Sequence, residues 1–191
     1  MKTALTPKQE ARRDRVLEAA ATAAMQGGYD AVQMRDVAAE AEVALGTLYR
    51  YFASKDQLLV AVMGQWTRQL QGQLARRPAQ GATAADRVIE AIRRAVKAME
   101  REPLLTTAVV TALTSLSADD PQALAYADDA YGVLTEIVTA AMDGEHEDSQ
   151  SIVRVLSQVW FASLIERVRG WGRPGDMLTD LETAVRLLVR D

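Results

Sequence analysis

Between residues 45 and 51 the chain reads Leu45-Gly46-Thr47-Leu48-Tyr49-Arg50-Tyr51, a glycine, a hydroxyl, two phenols and a guanidinium within two helical turns. A helix so short does not stabilise itself. It must be held by packing, and Tyr49, Arg50 and Tyr51 cannot all point into the small core that would hold it. Gly46 lowers helix propensity but lets a backbone come close to another surface. The chemistry left outside suits a polyanion. The phenols, Thr47 and the nearby Lys55 can donate to phosphate oxygens, whereas Arg50 can make a two-pronged contact to guanine in a major groove. Backbone N–H groups at helix starts, including the one at Ser54, add positive ends without altering the charge sum. A net charge of −4 therefore argues against a generally basic, indiscriminate binder and not against a localised contact with nucleic acid.

Catalytic chemistry has less to draw on. The chain has no Cys and one His, so neither a thiolate nucleophile nor a zinc site can be assembled from the usual ligands. His146 stands between Glu145 and Glu147 in an acidic loop. The acid pairs Asp119/Asp120 and Asp128/Asp129 read as helix-start and surface residues. No enzyme activity, metal or cofactor is expected, and a helical carboxylate hydrolase finds no support in the residues. The lack of Cys also excludes a disulfide scaffold and fits a reducing cytoplasm. No apolar run approaches the roughly 20 residues of a membrane span, and Met1-Lys2-Thr3 is not followed by the apolar core of a signal peptide. A cytoplasmic protein without a membrane partner is the expectation.

The elements that must position these residues are helices. Apolar residues recur at intervals of three and four and almost never alternate, which predicts an all-α fold. With 191 residues, 49% of them apolar, the chain can bury a sizeable core and can divide into a small and a larger lobe. Thr6-Pro7-Lys8-Gln9 announces the first helix with a capping box and a Pro at the first helical position. Val16, Leu17, Ala20 and Ala24 form its stripe, and Gly27-Gly28 is expected to end it. Short helices over 34–41 and 45–51 follow, with Glu42-Val43-Ala44 between them, which is helix-turn-helix spacing. Val37, Ala38, Ala41, Val43 and Leu48 can fill the angle between the two, closed from below by Phe52 with Leu58 or Leu59. An ordinary antiparallel helix pair has the same spacing. Ser54 and Gln57 open a longer helix, and Pro78 and Gly81 mark the clearest break. Further helices are expected from Thr83 to before Pro103, over 104–116, from Pro121 to Met142, over 149–169, and onward from Asp176 as a cap. Up to Met63 there are eight basic and eight acidic side chains, so the whole acidic excess lies beyond that point.

Two runs carry a family resemblance. Gly28-Tyr29-Asp30-Ala31-Val32-Gln33-Met34-Arg35-Asp36-Val37-Ala38 and the stretch from Val43 to Leu59 resemble the TetR family of one-component transcriptional regulators, over roughly residues 10–63. The resemblance implies nine-helix subunits that dimerise, with a DNA-binding domain over 1–53 and a ligand-binding and dimerisation domain over 54–191. By position, Gln33, Thr47, Tyr49, Tyr51 and Lys55 are implied to touch phosphates, Gly46 and Arg50 to approach bases, and Arg35 and Ala44 to complete the DNA-facing set. The chain departs from the family at Gln33, where Thr or Ser is usual, and at Ala44, where Ser is common. Within the family, similarity extends to repressors of sterol breakdown in actinobacteria, through Gly27-Gly28-Tyr29, the Val43–Phe52 run, Pro103-Leu104-Leu105-Thr106, the 154–160 segment and Ala184-Val185-Arg186-Leu187-Leu188. That similarity implies release from the operator by an apolar effector, a steroid-derived acyl-CoA thioester.

The middle helices offer Met63, Trp66, Leu70, Ile92, Val96, Met99, Leu105, Val109, Leu113, Leu134 and Trp160 to line an apolar cavity, since ligand sites form between helices of bundles. Arg93, Arg94 and Lys97 can give it a basic mouth for phosphates, and a solvated helix face explains them equally well. Between Ile152 and Val168, 11 of 17 residues are apolar and they are not confined to one stripe, so this helix needs cover on more than one side. A second copy of the chain is the expected cover, through Ile152, Leu156 and Val159 together with Leu181, Val185 and Leu188 of the last helix. A homodimer would then present two copies of the 45–51 helix to successive major grooves of a pseudo-palindromic duplex, about 34–36 Å apart. The alternative is a helical protein of the same fold that binds a protein or a ligand and not DNA.

Overall fold

In a computed structural model, which describes residues 6–116, 121–142, 148–173 and 175–189, every regular element is a helix. The order is α1 (Pro7–Ala31), α2 (Met34–Glu40), α3 (Leu45–Tyr51), α4 (Lys55–Arg76), α5 (Ala84–Arg101), α6 (Pro103–Ser115), α7 (Pro121–Ala141), α8 (Ser149–Arg169) and α9 (Asp176–Leu188). His146 with its flanking glutamates and the Asp119/Asp120 pair lie outside the described residues, as does the Asp129 side chain.

Local chemistry sets the helix ends. Thr6 Oγ1 accepts from the Gln9 N–H at 3.4 Å while Gln9 Oε1 accepts from the Thr6 N–H at 2.8 Å, and Pro7 supplies the first helical residue. At the other end of α1 the sequence expectation needs correction. Gly28 takes φ 69° and ψ −159°, yet the chain resumes a helical turn to Ala31, so the glycine kinks the helix where an end was expected. Ser54 Oγ accepts from the Gln57 N–H at 3.1 Å, and Gln57 Oε1 accepts from the Ala53 N–H at 3.0 Å. Thr83 Oγ1 likewise receives the Asp86 N–H. Asp176 is not a cap. Gly175 occupies that position with φ 93°, and the Asp176 carboxylate instead accepts from the Arg173 N–H at 2.9 Å.

The packing does not follow one cut in the sequence. One compact unit comprises Met1–Gln65 with Glu102–Ala127, and the other Trp66–Arg101 with Asp128–Asp191. Helix α6, expected beyond a boundary after residue 53, thus packs in the amino-terminal unit, along α1, where Ala20 and Ala24 meet Ala108 and Ala112 in one fully buried cluster. Small side chains allow two helices to approach closely. The same cluster contains Val37, Ala38, Ala41, Leu48, Phe52, Leu58 and Leu59, the residues expected to fill and close the angle of the two short helices. In the second unit α5 buries one face, Ala85, Val88, Ile89, Ala91, Ile92, Ala95 and Val96, and α9 packs on both α5 and α8. Among the described residues no helix is long and apolar enough to cross a membrane, and none of them form a group of three or more acidic or imidazole side chains suited to a metal.

Candidate nucleic-acid interface

Helix α3 is seven residues long, and a single side chain, Leu48, nails it to the core at 0% exposure. The next residue inward is Phe52, also at 0%, whose N–H donates to the Leu48 carbonyl at 2.9 Å and ends the helix. With Leu48 and Phe52 fixed inward, helical geometry turns Gly46, Tyr49 and Arg50 out, and Leu45, in the first turn, is left uncovered as well. All four are exposed, Tyr49 to 49% and Leu45 to 39%. Among the described residues neither Tyr49 nor Arg50 has a hydrogen bond or ion pair within the chain. Uncovered phenol and guanidinium groups on a rigidly held short helix are what a partner with acceptor groups can use.

The remaining residues of the expected set are placed less uniformly. Gln33, Arg35 and Ala44 are exposed and Thr47 is half-buried. Gln33 and Ala44 stand at the N-cap positions of α2 and α3 without a side-chain cap; Gln33 turns its amide back to the Asp30 carbonyl at 2.8 Å. Where Thr or Ser would occupy these positions, the hydroxyl could satisfy a backbone N–H, so the departures noted in the sequence leave both helix starts open. Tyr51 leans inward against the core, its hydroxyl 3.5 Å from the Gln9 carbonyl. Lys55 folds onto Tyr29, donating to its carbonyl at 3.2 Å with the ammonium 3.7 Å from the ring centre. Tyr29 Oη donates to Asp56 Oδ1 at 2.6 Å. This hydrogen bond to Asp56, with burial and the negative charge beside it, pushes the phenol up to about 12, so it remains the donor at neutral pH. The Tyr29–Asp56 pair was not anticipated from sequence, because its members stand 27 residues apart and only the aromatic next to Gly28 hints at it.

The expected pocket residues divide between the two units. Met63, Leu105 and Leu113 pack against the core of the first, and Val109 is half-buried on α6. In the second, Leu70 is buried with Ala91, Ala95, Val133 and Ile137, and half-buried Trp66 and Trp160 pack on that cluster. Ile92 and Val96 are buried on α5, and Met99 and Leu134 are half-buried. The basic mouth is mostly spoken for. Arg93 pairs with Glu182 at 2.7 Å, a hydrogen bond that raises the guanidinium above its ordinary value. Arg94 binds Glu90 at 2.9 Å and the Arg77 carbonyl, leaving Lys97 exposed.

The residues expected at a dimer face are mostly covered within the protomer. Leu181 and Val185 are at 0% exposure, Ile152 at 8% and Leu156 at 4%, within the protomer itself. Because α9 is packed by both α5 and α8, its inner stripe is already covered. Val159 and Leu188 are half-buried. The large apolar side chains that α8 and α9 leave exposed are Phe161 at 39% and Leu187 at 67%.

Comparison with known proteins shows the family and the fold. Residues 16–62 match the family described as bacterial regulatory proteins, tetR family, and residues 81–188 match the tetracyclin repressor-like C-terminal domain. The HTH-type transcriptional repressor KstR of Mycobacterium tuberculosis is 38% identical over 96% of this chain and 83% of its own length. The KstR of Rhodococcus jostii is 35% identical over 96% and 85% respectively. A crystallised TetR transcriptional regulator from Rhodococcus sp. RHA1 superposes with a TM-score of 0.82 at 32% identity, covering 95% of this chain and 97% of that one. The Thermus thermophilus repressor FadR, solved with lauroyl-CoA, has a TM-score of 0.72 at 22% identity over 94% and 96%.

Proposed function

The chain belongs to the TetR family of bacterial regulatory proteins and is a ligand-responsive DNA-binding transcriptional repressor; from that premise we propose which of its residues do the work. The observation that carries the assignment is α3: a helix pinned by one buried leucine that presents Tyr49 and Arg50 with no partner of their own among the described residues. Arg50 reads a base edge, with Gly46 allowing close approach. Gln33, Thr47, Tyr49, Tyr51 and Lys55 meet the phosphate backbone beside it and fix the register, and Arg35 and Ala44 complete the DNA-facing set. Regulators of this family bind operator DNA, dimerise and bind small ligands. We assign the dimer contact to the side of α8 and α9 that bears Phe161 and Leu187, because buried large apolar side chains stabilise association and these two lie in water in the protomer. Two copies of α3 then fit a pseudo-palindromic operator with half-sites one helical turn apart.

For the effector we infer an apolar molecule held in the second unit near Trp66, Leu70 and Trp160, where two half-buried indoles pack against a core that contains the small side chains of Ala91 and Ala95. The acyl part of an acyl-CoA suits that setting. The Thermus thermophilus relative of the same fold was solved with lauroyl-CoA, and the sterol-linked resemblance favours a steroid-derived thioester. Helix α4 belongs to both units, 55–65 to one and 66–76 to the other. A ligand beside Trp66 and Leu70 therefore acts on the helix whose first turn is capped in the DNA-binding unit. An effector that releases the operator must bind the DNA-incompetent form more tightly, and DNA must weaken effector binding by the same factor. We infer no catalytic role and a cytoplasmic location, as suits a regulator acting on chromosomal DNA.

Selection from a random duplex pool supplies the operator for the test. Replacing Arg50 or Tyr49 with Ala is expected to lower operator affinity by about 1–3 kcal/mol for the base-reading arginine and less for the tyrosine, with unchanged circular dichroism. Wild-type affinity in both variants would overturn the assignment of α3. A binding constant that does not fall as salt is added would favour a protein partner over DNA.

A further inference from the structure

The start of α4 holds an arrangement that goes beyond the phosphate contact of Lys55 and rests on that reading. Gly28 kinks α1, and the turn beyond it carries Tyr29 to the first turn of α4. There Tyr29 Oη donates to Asp56 Oδ1 at 2.6 Å, while the Lys55 ammonium lies 3.7 Å from the centre of the Tyr29 ring and donates to the Tyr29 carbonyl at 3.2 Å. All three residues are half-buried, so the cluster opens to solvent on one side. An ammonium carries three donors; one is used on the carbonyl, and the side turned away from the ring is left for a further acceptor. A lysine loose in water gives up much rotamer freedom when a phosphate fixes it. Here the ring and the carbonyl have already fixed it, and the attraction of a cation for an aromatic face keeps it there. The carboxylate in turn stops the ring from swinging away.

We propose that Tyr29, braced by Asp56, is a positioning residue that presents the Lys55 ammonium to an operator phosphate. Tyr29 itself touches no DNA. Its effect on binding passes through Lys55, and this separates it from a residue that merely helps α1 hold α4.

A double-mutant cycle reads that difference. Affinity for the selected operator is measured over a series of KCl concentrations for wild type, Tyr29→Leu, Lys55→Met and the double variant, with thermal melting of each. Each single variant is expected to lose affinity several-fold and to flatten the dependence of log K on log salt by about one per protomer. The double variant is expected to bind no worse than Lys55→Met alone. Tyr29→Phe keeps ring and carbonyl but loses the bond to Asp56, and should fall between wild type and Tyr29→Leu. Losses that add in the double variant, a full salt slope in Tyr29→Leu, or wild-type affinity in Lys55→Met would each overturn the proposal while leaving α3 as the reading element. If Tyr29→Leu melts before assay temperature, the cycle of Tyr29→Phe with Lys55→Met separates the same two outcomes, additive or non-additive. If the wild-type protein selects no duplex at all, the DNA-binding reading falls and this proposal with it.

Discussion

Helices α3 and α8 both leave large apolar side chains in water, and their neighbours set the two apart. On α3 the exposed Leu45 and Tyr49 share the surface with Gly46 and Arg50, so any occupant must satisfy hydrogen-bonding groups as well as cover carbon. On α8 the exposed Phe161 is followed by exposed Ala162, and neighbouring α9 exposes Leu187. A polyanion suits the first setting and another protein surface the second. The difference teaches that exposure alone identifies an interface but not its partner. The polar groups next to the exposed carbon do that.

The sharpest way to break this contrast lies on α9, whose two sides differ most. Leu181→Asp would put a carboxylate at a position with 0% exposure, inside an apolar stripe. We expect a loss above about 4 kcal/mol, seen as loss of the cooperative thermal transition. Leu187→Asp, at 67% exposure, should alter protomer stability by less than about 0.5 kcal/mol and instead shift sedimentation toward monomer. A Leu187→Asp protein that remains dimeric would remove that side of α9 from the proposed contact. A folded Leu181→Asp would mean that the inner stripe is not sealed by α5 and α8.

A second comparison sets the core under α3 against the core beneath Trp66 and Trp160. Phe52 lies at 0% exposure in a cluster where Leu17, Leu48, Leu58 and Leu59 are also at 0%, so Phe52→Ala leaves a large cavity in the densest part of the core and should cost about 3–5 kcal/mol. Leu70 is buried to 4% exposure within a cluster fringed by half-buried Trp66, Leu74 and Trp160, which can settle into the gap. Leu70→Ala should therefore cost about 2 kcal/mol, the low end for such a truncation. All three tryptophans lie in the second unit, so their fluorescence follows that unit while circular dichroism follows both. Equal losses in the two variants would mean that the second core is as tightly packed as the first and offers an effector no easier entry.

How much of this was legible depends on whether the determining contact is local. The Thr6–Gln9 capping box, the Ser54 cap and the helix-turn-helix spacing involve residues three or four apart, and the helix period exposes them directly. The outward set on α3 was legible for the same reason: once Leu48 must go in, Tyr49 and Arg50 must stay out. Gly28 signalled a change of backbone direction, but nothing in the residue says whether the helix resumes beyond it. The faces of α8 and α9 were less legible, because periodicity marks an apolar side chain without saying whether its own protomer or a second copy covers it. Leu181 and Val185 face inward since α5 packs on α9 as well, a relation between segments far apart in the chain. The ties of Lys55 to Tyr29, Tyr29 to Asp56 and Arg93 to Glu182 were hidden likewise, each joining residues of different helices.

Two glycines of the first unit separate backbone from interface. Neither Gly28 nor Gly46 would bring an added methyl within 4 Å of another group, so crowding predicts no cost at either. Gly28, however, sits at φ 69° and ψ −159°, a conformation almost reserved for glycine. Gly28→Ala should cost about 1–3 kcal/mol by straightening or straining the turn that carries Tyr29. Gly46 lies inside α3 with helical geometry, where alanine is the better helix former, so Gly46→Ala should stabilise the fold by roughly 0.5–1 kcal/mol. If the α3 surface lies against a base step as assigned, the same methyl must be fitted between helix and groove, and operator affinity should fall while melting temperature rises. Opposite signs in the two measurements would tie Gly46 to close approach. A variant both more stable and equally tight on the operator would show that α3 stands off the bases at this residue and that Arg50 reaches them across a gap.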